Sequence, residues 1–339
     1  MRRSKKIKIS APTDCDQDTG TVPVTNHWFR LSDEVILSIF RLLPQKDLLT
    51  LSLMSKKFRD LSRDDSLWTE LTLDHADIKQ TADSCRKLVE RCKKLSSLKI
   101  TNNANDPRSL NLMSVVIRAK DSLRSLEVDG SLDKWTDAAM AKLGMMKSLK
   151  LISFTFDTRY PQDPDGLFKL AELDQLEVLK IDIKTNLYEP LSEMSYVFQQ
   201  LKQLKTVDLT SARGNMLFYL ASNNPGLKVL KVDMYFDDAD IEVLSDLCPD
   251  LEELKVDLYL DDFVPEKLSF PKLKYLDIEL ATYKLETDAD EAVIKLIEKL
   301  WDLKKLNLRG FSIDLEEEEI NESFFHRIRN HYPDINFTY

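Results

Sequence analysis

The residue types that do chemistry in proteins are present in this chain, but their spacing assembles no reactive group. His326 and His331 have no cysteine or third ligand nearby, so their spacing does not indicate a zinc site. Cys85 and Cys92 lie two helical turns apart without partner ligands, which is typical of small core hydrophobes. The acidic run 316–319 lacks the interspersed Asp and Gly of a calcium loop. We therefore expect no metal and no cofactor.

Enzyme motifs are also missing from the sequence. No serine or cysteine is accompanied by a base in a catalytic motif, and the seven scattered glycines form neither a phosphate loop nor a dinucleotide-binding turn. We therefore expect no catalytic residue. The sequence predicts a protein that acts by binding rather than by turnover.

Composition narrows the class of protein further. The chain has 339 residues, of which 43% are hydrophobic and 31% charged, as in a soluble protein with a sizeable core. No apolar run approaches the length of a membrane span. The net charge of −10 disfavours a general nucleic-acid binder, so we expect neither a membrane nor a direct nucleic-acid partner. The basic start lacks the apolar stretch of a secretory signal, which predicts reduced cysteines and a cytoplasmic or nuclear location.

A recurring motif, Leu-x-x-Leu-x-(Leu/Ile/Val), predicts the elements that must position any binding residues. Copies or close variants begin at Trp68, Leu95, Leu123, Met146, Leu176, Leu204, Leu227, Leu251, Leu273 and Leu303, and a closing copy begins at Tyr332. The eight intervals from Leu95 to Leu303 average 26 residues. Leucine-rich repeats have a period of about 20–29 residues.

Between these phrases the hydrophobic period changes from two to about 3.6. Residues 81–94, 240–248 and 290–301 place apolar side chains on one face of a helix. Strand followed by helix, repeated, predicts an α/β horseshoe of about ten repeats over residues 73–339, with parallel strands on the concave side and helices on the convex side. Such a fold presents one long surface and no deep pocket, which favours binding.

A compact helical unit precedes the repeats. Ser32 is placed to cap a helix over residues 31–43, in which Val35, Ile39 and Leu42 form one apolar stripe and Ile36, Phe40 and Leu43 form the next. Pro44 ends this helix, Asp47 is expected to cap a second one, and Ser55 a third. A unit of about 45 residues buries little surface, so its apolar excess should face another body. That body is either the first repeats or a separate protein.

Two blocks of this unit resemble the F-box. Residues 31–43 are similar to its first helix, residues 47–61 to its middle, and Ser66-Leu-Trp68 to its closing Ser-Leu-Trp. The usual Leu-Pro opening is Leu31-Ser32 here, and Phe58 stands where Trp is common. Residues 247–254, Leu-Cys-Pro-Asp-Leu-Glu-Glu-Leu, resemble the cysteine-containing repeats that accompany many F-boxes. The chain thus resembles an F-box and leucine-rich-repeat protein, with a disordered tail at 1–26, an F-box at 27–72 and repeats at 73–339.

This resemblance implies the substrate-recognition subunit of an SCF-type ubiquitin ligase, which acts in ubiquitin-dependent protein degradation. The F-box would bind a Skp-type adaptor and, through it, a cullin–RING ligase, while the repeats bind the protein to be ubiquitinated. The chain itself would do no chemistry. The expected adaptor-binding residues are Leu31, Val35, Ile36, Ile39, Phe40, Leu43, Leu48, Leu51, Met54 and Phe58. The alternative is a leucine-rich-repeat scaffold or inhibitor with residues 27–67 as a helical N-terminal cap.

Strand alternation predicts which side chains line the concave surface. The residue between the second and third anchors should face it, which gives a lysine-rich row including Lys99, Lys150, Lys180, Lys231 and Lys255. An acidic row should follow two residues later, and aromatic residues two residues after that. The expected substrate-binding residues are Phe154, Lys180, Asp182, Lys231, Asp233, Tyr235, Lys255, Asp257, Tyr259 and Arg309.

This pattern predicts a substrate of mixed charge with an apolar anchor near Tyr235 and Tyr259. The alternative is a solvated surface on which the lysines neutralise the aspartates beside them. Arg2, Arg3, Lys5, Lys6 and Lys8 in the N-terminal tail are compatible with a nuclear-import signal or with a solubilising tail.

Overall fold

The computed structural model divides the chain into two compact units, residues 1–63 and residues 64–339. It describes residues 27–74, 87–101, 116–131, 137–157, 164–184, 192–210, 216–236, 238–259, 269–281, 294–295, 297–309, 326, 329–330 and 332–338. The expectations for the tail 1–26, for Cys85 and for the acidic run 316–319 lie outside these residues. The boundary placed between residues 72 and 73 stays a prediction.

The described part of the first unit, residues 27–63, consists of short helices. After a 3₁₀ helix at His27–Arg30 come α1 (Asp33–Phe40), α2 (Gln45–Leu51) and α3 (Lys56–Leu61). The Ser32 hydroxyl accepts a hydrogen bond from the Val35 amide at 3.5 Å, and the Ser55 hydroxyl accepts one from the Phe58 amide at 3.1 Å. Both predicted caps are therefore confirmed. Asp47 is not a cap, because α2 begins two residues earlier, after Pro44, and takes Asp47 into its first turn.

The second unit is built on one sheet of eleven parallel strands in which every strand pairs with its neighbours in sequence. The strands are β1 (Glu70–Asp74), β2 (Ser97–Thr101), β3 (Ser125–Ser131), β4 (Leu151–Asp157), β5 (Val178–Lys184), β6 (Thr206–Leu209), β7 (Val229–Phe236), β8 (Glu253–Tyr259), β9 (Tyr275–Ala281), β10 (Lys305–Arg309) and β11 (Asn336–Thr338). Helices that stand between strands include α4 (Asp137–Gly144), α5 (Ser192–Gln200), α6 (Met216–Asn223), α7 (Asp238–Leu247) and 3₁₀ helices at Ile117–Ala119 and Pro164–Glu172. A further 3₁₀ helix at Asp65–Leu67 precedes β1.

The predicted leucine-rich-repeat architecture of parallel strands and intervening helices is confirmed. The repeat anchors are buried between the sheet and the helices, as shown by Leu95, Leu98 and Ile100 in one repeat and by Leu176 and Leu179 in another. Each repeat covers the leucines of its neighbours, so the core is continuous along the sheet. Among the described residues, no helix has the length and apolar character needed to cross a membrane.

Two anchor phrases are shifted from their predicted frame. Ile152 pairs with Leu179 and Phe154 with Ile181, so the fourth repeat reads Leu149-Lys-Leu-Ile152-Ser-Phe154 rather than starting at Met146. Met146 fitted the first anchor of the motif because it is apolar, and it is buried as well. In the last repeat, Phe337 pairs with Leu306, the second anchor, whereas the phrase starting at Tyr332 makes Phe337 the third.

Candidate protein-interaction surfaces

The helical unit has its own small core. Ile36, Phe40, Leu48 and Phe58 are buried, and the rings of Phe40 and Phe58 meet edge to face with centroids 5.6 Å apart. The expectation that Ile36 and Phe40 face a partner is therefore corrected, and Leu48 and Phe58 share their buried position. The physical reason is that one of the two apolar stripes of α1 must pack on α3 to give this small unit a core.

The other stripe of α1 is open. Val35 is exposed, Ile39 is half-buried, and Leu42, just past the end of the helix, is 83% exposed. We call the exposed apolar side chains of this unit the apolar patch: Trp28, Val35, Leu42, Leu49, Leu53 and Met54. Of the expected adaptor residues, Val35 and Met54 belong to this patch, and Leu31, Ile39, Leu43 and Leu51 are half-buried. The sequence contained the signal for Leu42 in its stripe; Trp28, Leu49 and Leu53 had none beyond being apolar.

Polar contacts fix the helices that carry the apolar patch. The Lys57 ammonium lies 3.0 Å from the Asp33 carboxylate and donates a hydrogen bond to the Leu31 carbonyl at 3.2 Å, which ties α3 to the start of α1. The Arg59 guanidinium donates to the Ser52 carbonyl at 3.1 Å, which holds the turn after α2. A patch supported in this way is pre-organised, and a partner loses less entropy in ordering it.

The sheet of the second unit brings several expected substrate residues to one face. Lys255 Nζ lies 2.7 Å from Asp233 Oδ1 on the neighbouring strand, and Lys231 Nζ lies 3.0 Å from Glu253 Oε2. The lysines are thus paired across strands rather than with the aspartate two residues later. Each such pair is partly exposed and contributes about 0–1 kcal/mol.

Three aromatic residues, Phe154, Tyr235 and Tyr259, were expected to contact the substrate. Phe154 is only 2% exposed, because the shifted frame of β4 makes it a core anchor, and Ser153 and Thr155 take the neighbouring alternate positions. Its expected contact with substrate is corrected. The same shift removes Lys150 from the lysine-rich row. Tyr235 and Tyr259 lie on β7 and β8, but their side chains are outside the part of the chain that the structure describes.

A recess of about 360 Å³ opens on the sheet face over β2 to β6. Its lining residues are Lys99, Glu127, Val128, Ser153, Phe154, Thr155, Lys180, Ile181, Asp182, Asp208 and Thr210. The Asp182 carboxylate accepts hydrogen bonds from the Thr155 hydroxyl at 3.3 Å and the Thr210 hydroxyl at 2.8 Å. The residues around this recess carry both positive and negative charge, which suits a polar protein surface better than an apolar small molecule.

Arg309 organises a second polar cluster at β8 to β10. Its Nε donates to Asp277 Oδ1 and its Nη1 to Glu279 Oε2, both at 2.6 Å. Burial, with the nearby Glu279 charge adding to it, raises the pKa of Asp257 to about 6, although Arg309 opposes the shift. Burial would also raise the pKa of Asp277, but hydrogen bonds from Arg309 and Asn307 outweigh it and lower that pKa. Within the described residues, Asp257 Oδ1 and Arg309 Nη2 are buried without a hydrogen bond, 3.5 Å apart.

Two further rows were missed by sequence reasoning. The first lies at the residue after each first anchor, and we call it the basic rim: Arg124, Lys150, Glu177, Lys205, Lys228, Glu252, Lys274 and Lys304. Each member from Lys150 onward donates its backbone N–H to the carbonyl of the preceding member, at 2.7–2.9 Å. The rim is therefore one continuous line along the starts of β3 to β10. Its signal in the sequence was the basic residue that recurs at this one position.

The second missed row is one residue further on. We call Leu151, Val178, Thr206 and Val229, the first residues of β4 to β7, the apolar row. All four are half-buried. The equivalent positions on β8 and β9 face the same side as the charged rows, since Glu253 pairs with Lys231 and the Tyr275 hydroxyl donates to Asp277 Oδ2 at 3.1 Å. The alternation rule was applied only to the later strand positions, which is why this row was overlooked.

No group of three or more His, Cys, Asp or Glu in the described ranges is placed to hold a metal ion. Cys92 and Cys248 are buried free thiols, and burial raises their pKa values to about 11 and about 12. Thiols with such pKa values are poor nucleophiles at neutral pH.

Comparison with known proteins finds a family similarity around the helical unit. Residues 28–89 match the F-box-like family model. No curated protein matches the sequence. Among solved structures, the leucine-rich-repeat protein LegL7 from Legionella pneumophila is 12% identical over 80% of this chain and 96% of its own, with a TM-score of 0.42.

Two further solved structures have a comparable sequence identity and TM-score. The Rad7 and Elc1 complex in yeast is 13% identical over 92% of this chain and 94% of that chain, with a TM-score of 0.47. The Toll–Spatzle complex of Drosophila is 14% identical over 73% of this chain and 31% of that chain, with a TM-score of 0.44. At these scores the three likenesses carry no inference about function.

Proposed function

We propose, from an F-box-like segment joined to a leucine-rich-repeat sheet, that this protein is the substrate-recognition subunit of an SCF-type ubiquitin ligase. The apolar patch binds a Skp-type adaptor, which connects the chain to a cullin–RING ligase. The sheet face binds the protein to be ubiquitinated. The chain does no chemistry of its own and raises the local concentration of substrate lysines at the ligase. We place this activity in the cytoplasm or the nucleus.

The exposed apolar patch is the observation that carries the proposal. Val35, Leu42 and Leu53 are large apolar side chains in solvent on a unit that already has a core. So many exposed large apolar side chains on so small a unit favour a protein interface. A protective N-terminal cap presents a polar outer face instead, so the patch favours the receptor over the capped scaffold or inhibitor.

The first test is co-expression of the full chain with a Skp-type adaptor, followed by size-exclusion chromatography. We expect a stable complex whose interface buries about 1,200–2,000 Å². Val35→Asp with Leu42→Asp should abolish co-elution, because two charges would be desolvated in an apolar contact. Both positions are exposed, so the helical content and the melting midpoint of the variant should stay unchanged.

The matched control is Ser38→Asp with Lys56→Gln, two exposed polar positions on α1 and α3 that give the same change of two charges. This control should keep the complex. If the wild-type chain forms no complex, the receptor function is rejected. If the Val35/Leu42 variant still co-elutes, or the control also loses the adaptor, the apolar patch is not the docking site.

A further inference from the structure

The basic rim is unusual in an acidic chain. The protein carries a net charge of −10, yet this one row contains six cationic residues and two carboxylates. The carboxylates do not interrupt the positive charge. Glu177 lies 2.6 Å from both Lys150 and Lys205, and Glu252 lies 3.0 Å from Lys228 and 2.7 Å from Lys274. Each trio therefore keeps one net positive charge.

Neighbouring strands are spaced by about 4.8 Å, so the rim places cations at short, regular intervals. Lys205 and Lys228 are adjacent members of the row, and the rim itself places no carboxylate between them. Every cation of the rim is exposed. Adjacent cations such as Lys205 and Lys228 lie within one Debye length, about 8 Å at physiological salt, so their potentials add.

Charge on the same sheet changes sign along the strands. Beyond the apolar row and the lysine-rich positions come Asp182, Asp233, Asp257 and Glu279, towards the ends of β5, β7, β8 and β9. The fifth residue of β5, β7, β8 and β9 is thus acidic, whereas the rim just before the strands has six cations and two carboxylates. A bound partner is oriented by such a gradient, because the reversed orientation would put like charges opposite each other.

The apolar row lies beside the middle of the rim. Leu151, Val178 and Val229 offer aliphatic surface over four strands, a span of roughly 14 Å. They stand one residue after Lys150, Glu177 and Lys228 respectively, so the row and the rim run side by side along the starts of the strands. Aliphatic surface beside flexible cations suits a ligand that carries both carboxylates and apolar side chains.

We infer that the basic rim and the apolar row together bind an acidic segment of a partner protein that also carries aliphatic side chains. In naming the substrate class, this inference deepens the receptor function proposed above and rests on it. The segment crosses β4 to β7 at the start of the strands, with carboxylates towards Lys150, Lys205 and Lys228. Nucleic acid is disfavoured as the occupant, because the apolar row has no aromatic side chain on which a base could stack.

The test uses the full chain and labelled synthetic peptides, followed by fluorescence anisotropy. One peptide alternates glutamate with leucine, a second glutamate with serine, and a third lysine with leucine. We expect the glutamate–leucine peptide to bind with at least about tenfold lower Kd than the other two, which corresponds to about 1.4 kcal/mol. Its affinity should fall as salt is raised.

The rim variant is Lys150→Gln with Lys205→Gln and Lys228→Gln, and it should raise the Kd of the glutamate–leucine peptide about tenfold. The apolar variant, Val178→Ser with Val229→Ser, should do the same while leaving the salt dependence unchanged. The matched control, Lys87→Gln with Lys169→Gln and Lys299→Gln, makes the same change in net charge at exposed positions outside the rim and should bind like wild type.

Equal binding of the lysine–leucine peptide, or equal loss in the rim variant and its control, would overturn the inference. Tighter binding of a labelled single-stranded oligonucleotide than of the glutamate–leucine peptide would overturn it as well. Co-elution with the adaptor reports separately on the apolar patch of the helical unit. If the wild-type chain does not co-elute with the adaptor, the receptor function is rejected. If it co-elutes but binds no peptide, only the substrate class is rejected.

Discussion

At the scale of single residues, the sheet contains carboxylates whose proton affinities are shifted in opposite directions. Hydrogen bonds from Lys150 and Lys205 lower the pKa of Glu177 to about 2, from an ordinary value of 4.5. Hydrogen bonds from Lys274 and Lys228 lower the pKa of Glu252 to about 2 in the same way. Burial does the opposite to Asp257, whose pKa is about 6 instead of 3.8. The two kinds of carboxylate make the stability of the fold depend on pH in opposite senses.

The Asp257 effect can be isolated between pH 7 and pH 4.5, above the range in which Glu177 and Glu252 lose their contribution. The raised pKa means that the folded state binds the proton more tightly than the unfolded state does. Lowering the pH through 6 should therefore stabilise wild type, by up to roughly 2–3 kcal/mol. Asp257→Asn should remove this rise in the urea midpoint, whereas the exposed control Asp246→Asn should retain it. A wild-type midpoint that falls steadily from pH 7 to 5 would contradict the assignment.

At the scale of elements, one buried amide joins two repeats. Asn224, after the end of α6, donates from Nδ2 to the carbonyls of Leu201 and Leu220, both at 3.0 Å. Its Oδ1 accepts from the Leu204 amide at 2.8 Å. Asn224 is 1% exposed, so these backbone groups have little access to water. The side chain thereby fixes the turn that leads into β6 against the helix of the next repeat.

Replacing Asn224 by Ala should leave a buried N–H and a buried carbonyl without their partner. We expect a loss of about 1–3 kcal/mol in the free energy of unfolding. The measurement is the midpoint of urea unfolding, with the slope unchanged. Asn223→Ala removes the same side chain one residue earlier, where the amide donates only to the Tyr219 carbonyl at 2.9 Å, and should cost less. Equal losses in the two variants would show that Asn224 has no special bridging role.

Elements of the fold could be predicted from sequence wherever the phrase of leucines is unambiguous. The spacing of Leu176, Leu179 and Ile181 fixes both strand and register, because only one frame buries all three side chains. The fourth repeat contains a run of apolar residues in which Met146, Leu149 and Ile152 each fit an anchor. Only pairing with β5 selects the frame, and that information is not local.

The candidate surfaces were less predictable for a related reason. Both stripes of α1 are apolar, and the sequence holds nothing that says which one covers α3. The rim and the apolar row could have been found, since each follows from one fixed position in the repeat. The apolar row was missed because the predicted alternation starts at the second anchor, whereas these strands begin one residue before it. The rim precedes the strands, where alternation makes no prediction.

At the scale of the whole molecule, each repeat of the second unit depends on its neighbours. Leu179 is fully buried at the middle of the sheet. Leu179→Ala should cost about 2–5 kcal/mol. Because coupling in such arrays passes between adjacent repeats, amide protection measured by hydrogen exchange should fall most in β4 to β6 and least in β1 and β10.

The exposed Leu42→Ala serves as the control for this experiment and should leave exchange in the sheet unchanged. A loss of protection spread evenly from β1 to β10 in Leu179→Ala would mean that the sheet opens as one cooperative body instead.

The order of strands in space is the order in which a ribosome makes them. Each newly emerged strand from β2 onward has a partner already synthesised, as when Ser125 meets Ser97 and Val178 meets Leu151. The loop to be closed is of similar length at every step, so its entropic cost hardly grows as the chain lengthens. Assembly can therefore proceed during translation, one repeat after another, before the C-terminus has been synthesised.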